Sequence, residues 1–143
     1  MMSNIEKVLA EKGICVTVTK GDSMNPMLVE GRDKVVVVTP KFPLKKYDVP
    51  VYRKMGHYTM HRIVKVTKNG YIICGDNRGN LEKNVKESDI IGVLNGFYQG
   101  DRYIDHTDEE FINYGITAVK GLTKRRIKHF SGRVKRKIKR IFK

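Results

Sequence analysis

The chain has 143 residues, of which 40% are hydrophobic and 31% charged, so it can fill one core and is not a disordered low-complexity chain. The formal net charge is +14, but 12 of the 29 Lys and Arg residues lie between Lys120 and Lys143, a segment without Asp or Glu. The remaining 119 residues carry 17 basic and 15 acidic side chains. The high charge therefore describes the C-terminal segment and says nothing about the function of the nearly neutral remainder.

Residues 1–13 predict a short N-terminal helix, because apolar side chains recur there at helical spacing. They lack the apolar block of a secretory signal, and no run approaches the roughly 20 apolar residues of a membrane-spanning helix. Cys15 and Cys74 lie in β-like runs. We therefore expect a cytoplasmic protein with two reduced, buried thiols, a disulfide or a catalytic thiol being the alternatives.

Short β-rich runs separated by Gly, Pro and Asn fill residues 14–106 and predict a β domain. Strands are expected over residues 14–19, 34–39, 48–53, 58–66, 71–74, 90–98 and 103–104. Loops are expected over residues 21–31, 41–46 and 75–84. Pro50 indicates an edge or bulged strand, because proline cannot donate to a strand ladder. The expected fold class is mainly β: a small barrel or folded sheet with helical ends.

Residues 107–143 predict a helical, basic C-terminal segment. Thr107 and Glu110 have the spacing of a capping box at a helix N-terminus. An apolar helical face is expected at Phe111, Ile112, Tyr114, Ile116 and Val119. Further on, apolar residues recur at steps of three or four among many cations, which predicts a basic amphipathic helix with a bend at Ser131-Gly132.

The basic helix has ten candidate residues for binding a membrane or another polyanion. They are Lys124, Arg125, Arg126, Lys128, Arg133, Lys135, Arg136, Lys137, Lys139 and Arg140. An anionic membrane surface agrees best with cations beside an apolar stripe, and it would place the protein peripherally at the membrane. Nucleic acid is the second alternative, because a cationic segment binds polyphosphate regardless of sequence. A solvated tail without a partner is the third.

Three segments, residues 21–26, 61–64 and 75–80, hold reactive residue types in expected loops and strand ends. A serine in a loop with Gly and Pro is commonly a turn residue, and a strand histidine is commonly a packed side chain. The Gly-Asp-Asn sequence is commonly a turn. Each segment alone therefore predicts no chemistry, but their occurrence together and in this order is much more specific.

Five boxes of residues, in order along the chain, resemble those of the type I signal peptidases and the related LexA-like peptidases. They are Gly21-Asp22-Ser23-Met24-Asn25-Pro26-Met27-Leu28 with Gly31-Arg32-Asp33-Lys34-Val35-Val36-Val37; Leu44-Lys45-Lys46-Tyr47-Asp48-Val49; Met60-His61-Arg62-Ile63-Val64; Gly75-Asp76-Asn77-Arg78; and Asp89-Ile90-Ile91-Gly92-Val93-Leu94. The resemblance covers residues 14–98. It implies a LexA/signal-peptidase-like folded β-sheet barrel and a serine endopeptidase that cleaves a leader or membrane-proximal peptide.

The resemblance implies a Ser–His mechanism, as in the archaeal and endoplasmic-reticulum signal peptidases, whereas many other relatives have lysine as the base. Ser23 would be the nucleophile and His61 the general base, since an imidazole titrates near neutral pH and can activate a hydroxyl. Either Asp76 or Glu82 would orient the imidazole. The choice stays open: Asp76 belongs to the Gly-Asp-Asn box and could instead hold the loop, whereas Glu82 lies in the loop after the box, where the histidine-type relatives have the orienting acid.

The nucleophile loop comprises Asp22, Ser23, Met24 and Pro26. The backbone N–H of Ser23 is the natural donor to the oxyanion that forms during attack on a peptide bond. We expect Arg62, the neighbour of the base, to be a solvated strand charge, because charged side chains are rarely buried.

Two residues depart from the family pattern: Tyr47 stands where glycine is usual, and Pro50 where a β-branched residue is usual. A typical signal peptidase also has an N-terminal membrane anchor, which we do not expect here. The sequence predicts no cofactor and no metal site, because His57 and His61 lie in a β region and lack the glutamate of a zinc-protease motif. The alternative function is a non-catalytic, peptidase-like module that binds nucleic acid or a protein partner through its basic tail.

Overall fold

The structure is a computed structural model and describes residues 4–141. Its elements, in chain order, are α1 Asn4–Lys12, β1 Ile14–Val18, β2 Asp33–Val38, β3 Pro50–Lys54, β4 His57–Met60, β5 Arg62–Thr67, β6 Gly70–Cys74, β7 Glu82–Val85, a 3-10 turn Glu87–Asp89, β8 Ile90–Gln99, β9 Arg102–Asp105, α2 Glu109–Lys120 and α3 Leu122–Ile141. The protein is mainly β, with a short N-terminal helix and C-terminal helices, as the sequence predicts. Residues 1–3 of the predicted N-terminal helix lie outside the described residues.

The strands form two antiparallel sheets. The larger has the order β1-β2-β8-β3-β4, with β9 also paired to β8, and the smaller has the order β5-β6-β7. Within residues 4–141 no strand pairs across the two sheets, so the closed barrel offered as one form of the fold is not found. Only His61 separates β4 from β5, and the chain therefore passes from one sheet to the other at this residue.

Buried apolar side chains form two clusters. One lies on the larger sheet and includes Val35, Val37 and Phe97. The other joins the two sheets, since it contains Ile63 and Ile73 of the smaller sheet and Tyr52 and Ile90 of the larger one. Full burial of one such side chain stabilises the fold by about 1.5–3 kcal/mol. Loops that leave these sheets therefore start from well-anchored positions.

Pro50 begins β3, but this strand is not at an edge of its sheet. β3 lies between β8 and β4, and its pairing with β8 shifts register between Val51 and Tyr52. Of the two expectations for Pro50, the bulged strand is confirmed and the edge strand is wrong. A proline is tolerated as the first residue of a strand, where fewer ladder hydrogen bonds depend on its missing N–H.

The loop expected over residues 75–84 ends early, because Glu82–Val85 forms β7. Its sequence, Glu-Lys-Asn-Val, is short and polar, and it gives no alternating apolar signal. β7 forms through its neighbour, with Glu82 opposite Ile73 and Val85 opposite Tyr71 on β6. The correction matters for the site, since it places Glu82 on a strand and not on a free loop.

The two C-terminal helices differ in how they pack. On α2, Phe111 and Gly115 are buried, whereas Ile112 is exposed, so the predicted apolar face is only partly correct. The capping box at Thr107 is wrong: Asp108 is the N-cap residue, and the Thr107 hydroxyl donates to Asp105 instead.

α3 runs unbroken through Ser131 and Gly132, where a bend was expected. None of its residues is buried, and it exposes the apolar stripe Ile127, Phe130, Val134, Ile138 and Ile141. Neither α3 nor any other helix within residues 4–141 has the length and apolar character needed to cross a lipid bilayer.

Candidate active site

The Ser23 loop connects the edge strand β1 to β2. Its turn is closed by backbone hydrogen bonds from the Asn25 N–H to the Asp22 carbonyl (3.0 Å) and from the Leu28 N–H to the Met24 carbonyl (3.0 Å). Met24 and Leu28 are buried, whereas Ser23 is partly exposed. The apolar neighbours therefore anchor the loop and leave the serine at the surface of the domain.

His61 lies at the crossing point between the two sheets, and its ring is held from one side. Its Nδ1 is 3.3 Å from the Tyr52 hydroxyl and 3.6 Å from Glu82 Oε1. The side chain of His61 is 13% exposed and that of Glu82 is 16% exposed, so both are largely withdrawn from water. The structure thus brings Glu82 to the imidazole.

The other ring nitrogen of His61, Nε2, and the Ser23 carbonyl both lie close to Gly75. A Cβ added to Gly75 would lie 2.8 Å from the Ser23 carbonyl oxygen and 3.2 Å from His61 Nε2. The Asn77 N–H also donates to the Ser23 carbonyl at 2.9 Å. Gly75 is therefore the point at which the serine loop and the imidazole converge, and a side chain there would separate them.

The surroundings of Glu82 lower its pKa and favour the charged carboxylate. Burial alone would raise its pKa, but the side chains of His61, Lys54 and Tyr52 outweigh burial and lower it to about 2. Lys54 Nζ donates to Glu82 Oε1 at 2.9 Å. Burial, followed by the charge of Glu82, raises the pKa of Tyr52, so its hydroxyl remains a donor. The site therefore places a permanent negative charge beside Nδ1 of His61.

Asp76, the other candidate for the orienting acid, pairs with Arg62. Both of its carboxylate oxygens accept hydrogen bonds from Arg62, from Nε at 2.7 Å and from a terminal nitrogen at 2.8 Å. Arg62 is 1% exposed and Asp76 is 6% exposed. The expectation that Arg62 is a solvated strand charge is wrong, because this two-point pairing satisfies a buried charge.

Arg62 also joins several parts of the chain around the site. It donates to the Tyr47 carbonyl at 3.0 Å and contacts the Met27 sulfur at 3.4 Å. A Cβ added to Gly115 of α2 would lie 2.8 Å from Arg62. Tyr47 has φ +81°, a left-handed conformation that is costly for residues other than glycine. The sequence contains a signal for this, since glycine is the residue expected at that position.

A groove of about 530 Å³ opens beside Ser23. Its lining comes from β1–β4, the Ser23 loop and α1, and includes Ile5, Val18, Met24, Val51 and Met60. Apolar side chains and the exposed edge of β1 suit an extended peptide, whose backbone can pair with a free strand edge while alternate side chains enter the groove.

The predicted cationic residues of α3 are exposed, with one exception. Lys124, Arg126, Lys128, Arg133, Lys135, Arg136, Lys137, Lys139 and Arg140 face solvent. Arg125 is partly buried, and its guanidinium donates to the carbonyls of Arg78 and Ala118, both at 2.7 Å. The Arg125 guanidinium is thus engaged within the chain, and its role in binding a polyanion stays a prediction.

Asp22, in the nucleophile loop, pairs with Arg78 at 2.6 Å, and this hydrogen bond and the Arg78 charge lower its pKa. Pro26 is exposed at the far end of the turn. Among the described residues no three or more His, Cys, Asp or Glu side chains group as metal ligands would.

Both cysteines are free and buried, as the sequence predicts. Burial raises the pKa of the Cys74 thiol, so this side chain stays neutral. Because a thiolate is the reactive form, Cys74 lacks the character of a catalytic thiol.

Comparison of the chain with family models, with curated proteins and with solved structures finds no match.

Proposed function

We propose that the protein is a serine endopeptidase that resembles the histidine-type signal peptidases, with Ser23 as nucleophile, His61 as base and Glu82 as orienting acid. The observation that carries the proposal is the orientation of His61. Its Nδ1 lies 3.6 Å from the charged Glu82, and its Nε2 and the Ser23 carbonyl both lie close to the Gly75 position. A general base needs to be near its orienting acid and near the loop that would present the nucleophile.

In the proposed reaction the Ser23 Oγ attacks the carbonyl carbon of a peptide bond, and its proton passes to His61 Nε2. The backbone N–H of Ser23 stabilises the oxyanion of the tetrahedral intermediate. His61 then gives the proton to the departing amine as the C–N bond breaks. Water, deprotonated by His61, attacks the acyl-enzyme and releases the second product, which restores the Ser23 hydroxyl.

Glu82 holds the Nδ1–H tautomer of His61 and stabilises the imidazolium that forms when Ser23 attacks. Asp76 has a different part in the proposal. With Arg62 it holds residues 75–80 against β5, and so fixes Gly75 between serine and imidazole. The left-handed φ of Tyr47, at a position where the family usually has glycine, supports a LexA-like fold for this part of the chain.

We further propose an extended peptide substrate with apolar side chains, such as a leader or a membrane-proximal segment. The apolar groove beside Ser23 supports this choice. α3 would bind an anionic membrane surface peripherally, because its exposed stripe includes Phe130 at 68% exposure and lies among cations. Each cation near such a surface contributes about 1 kcal/mol.

The enzyme proposal is tested with a β-lactone probe, which acylates activated serines by ring opening and is detected by intact mass. Wild type and Ser131→Ala, a matched control on α3, are expected to gain one adduct. Ser23→Ala should gain none, and His61→Ala should react at least about 100-fold more slowly. Equal labelling of wild type and Ser23→Ala would sink the proposal. Circular dichroism checks that each variant is folded.

The second candidate function is a non-catalytic module that binds nucleic acid through α3, which the run of exposed cations favours. Sedimentation with phosphatidylserine-containing vesicles, compared with duplex DNA at rising salt, separates the two. The membrane proposal expects vesicle binding that falls when Ile127 and Phe130 are both changed to Ser. Salt-sensitive DNA binding that survives this change, without vesicle binding, would favour the nucleic-acid module.

A further inference from the structure

The N-terminal half of α3 packs directly against the loop that carries Gly75. At Gly79 an added Cβ would lie 2.4 Å from the Arg125 carbonyl oxygen and 2.8 Å from the His129 Cβ. Contacts this close leave no room for a side chain at position 79. One of the two contacting atoms, the Arg125 carbonyl oxygen, belongs to the backbone of α3. The helix and the loop therefore meet as closely as glycine permits.

Arg125 fastens this contact with two hydrogen bonds. Its Nε donates to the Arg78 carbonyl, and a terminal nitrogen donates to the Ala118 carbonyl near the end of α2, both at 2.7 Å. Its neighbours Lys124 and Arg126 are exposed. Of these three cations, Arg125 donates hydrogen bonds to carbonyl oxygens within the chain, whereas Lys124 and Arg126 face solvent.

From Arg78 the connection continues to the proposed nucleophile within the same loop. Arg78 donates through its side chain to Asp22 at 2.6 Å, next to Ser23. The Asn77 N–H donates to the Ser23 carbonyl at 2.9 Å. The loop that α3 contacts therefore forms hydrogen bonds with both Asp22 and Ser23.

We infer that α3 is a positioning element of the active site, and that Arg125, through the contact at Gly79, holds residues 75–80 so that Ser23 stays aligned with His61. This inference rests on the proposed peptidase function for its catalytic consequence, but the mechanical link is a property of the chain itself. One side of α3 thus serves the loop, while its exposed cations and apolar stripe remain for a membrane. The helix joins the proposed membrane contact to the proposed catalytic loop.

The test compares Arg125→Gln with Lys120→Gln, which removes an exposed cation at the end of α2. A second pair is Gly79→Ala and Gly132→Ala, the latter a position of α3 where an added Cβ meets nothing within 4 Å. Arg125→Gln and Gly79→Ala should slow maximal acylation of Ser23 by about 10–100-fold, because a small misplacement of reacting groups is costly. The probe concentration at half-maximal rate should not change, and Arg125→Lys should react at an intermediate rate.

Amide hydrogen exchange supplies a readout that is independent of activity. The Asn77 and Arg78 amides should exchange at least about 10-fold faster in Arg125→Gln and Gly79→Ala than in wild type, since local opening frees them. The two control variants should exchange like wild type. Binding to phosphatidylserine-containing vesicles should fall no further in Arg125→Gln than in Lys120→Gln.

The outcomes separate this inference from the proposed function. If wild type is not labelled, the peptidase proposal fails and the exchange rates alone decide the link between α3 and the loop. If wild type is labelled and Arg125→Gln has wild-type exchange and acylation, the inference is overturned and the peptidase proposal stands. Should Gly79→Ala fail to fold, Arg125→Gln, which alters only a partly exposed side chain, still decides.

Discussion

His61 and Arg62 are neighbours in the chain, yet they meet different acids in different settings. Arg62 and Asp76 form a buried pair in which two parallel hydrogen bonds satisfy both charges. His61 and Glu82 are 3.6 Å apart, partly exposed, and shared with Lys54 and Tyr52. The Arg62–Asp76 pair, with two hydrogen bonds, stabilises the structure. In the His61–Glu82 pair only Nδ1 is close to the acid, which leaves Nε2 available to accept a proton. We expect the Asp76 pair to stabilise the fold, and under the proposed function we expect Glu82 to orient the base.

The largest effect on stability is expected from breaking the buried Arg62–Asp76 pair. Asp76→Ala leaves the Arg62 charge buried without a partner, which should lower the free energy of unfolding by about 3–5 kcal/mol. Urea denaturation measures this loss. The control is Asp22→Ala, which breaks an exposed ion pair and should cost at most about 1 kcal/mol. Equal losses for the two variants would show that the Arg62–Asp76 pair has no special structural role.

The largest effect on activity with a small effect on stability is expected at Glu82. Glu82→Gln removes the charge beside His61 Nδ1 and should slow Ser23 acylation by about 10²–10⁴-fold. The midpoint of thermal unfolding should change much less than in Asp76→Ala. Glu11→Gln, an exposed change on α1, serves as the control for loss of one acid. If Glu82→Gln reacts at the wild-type rate, Glu82 does not orient the base.

The lowered pKa of Glu82 predicts how stability depends on pH. A carboxyl whose pKa is about 2 in the folded chain, against 4.5 in its reference state, stabilises the fold above pH 4.5. That contribution is lost as pH falls from 4.5 through 2, because the unfolded chain binds the proton first. Wild type should therefore lose stability more steeply than Glu82→Gln in this window. Asp22, Asp105 and Glu110, whose pKa values are also lowered, remain in both proteins and cancel in the difference.

The smallest effect is expected at Tyr47, whose carbonyl accepts a hydrogen bond from Arg62. Its φ of +81° costs roughly 1–2 kcal/mol for a residue with a Cβ. Tyr47→Gly should therefore be about 1 kcal/mol more stable than Tyr47→Ala, which keeps the strain and also loses the ring. Chemical denaturation of the two variants gives this difference. A more stable alanine variant would contradict the strain at this position.

Much of the fold follows from local sequence patterns. The predictions that are wrong concern residues whose structure depends on contacts with residues distant in the sequence. In the sequence, β1 is evident from its alternating residues, β2 from its four consecutive valines, and the helical ends from apolar residues at helical spacing. β7 is not, since its polar residues become a strand only by pairing with β6. The burial of Arg62 likewise depends on Asp76, which is 14 residues away. The position of the Arg125 side chain depends on the Arg78 carbonyl, which is 47 residues away.

For the site, the sequence predicts Ser23 and His61 and leaves the orienting acid open. Spacing alone does not distinguish Asp76 from Glu82, because the direction of each side chain depends on how the two sheets meet at His61. Gly75 illustrates the same limit: its sequence context indicates a turn, and only the fold brings Ser23 and His61 to it.

The most direct test of the account is peptide mapping of the wild-type protein after reaction with the β-lactone probe, beside Glu82→Gln and Asp76→Asn. The account predicts one adduct, on Ser23, formed at a rate that drops sharply in Glu82→Gln. In Asp76→Asn the rate, measured where that variant remains folded, should fall less. An unmodified wild-type protein, or an adduct on another residue, would contradict the assignment of Ser23 and His61.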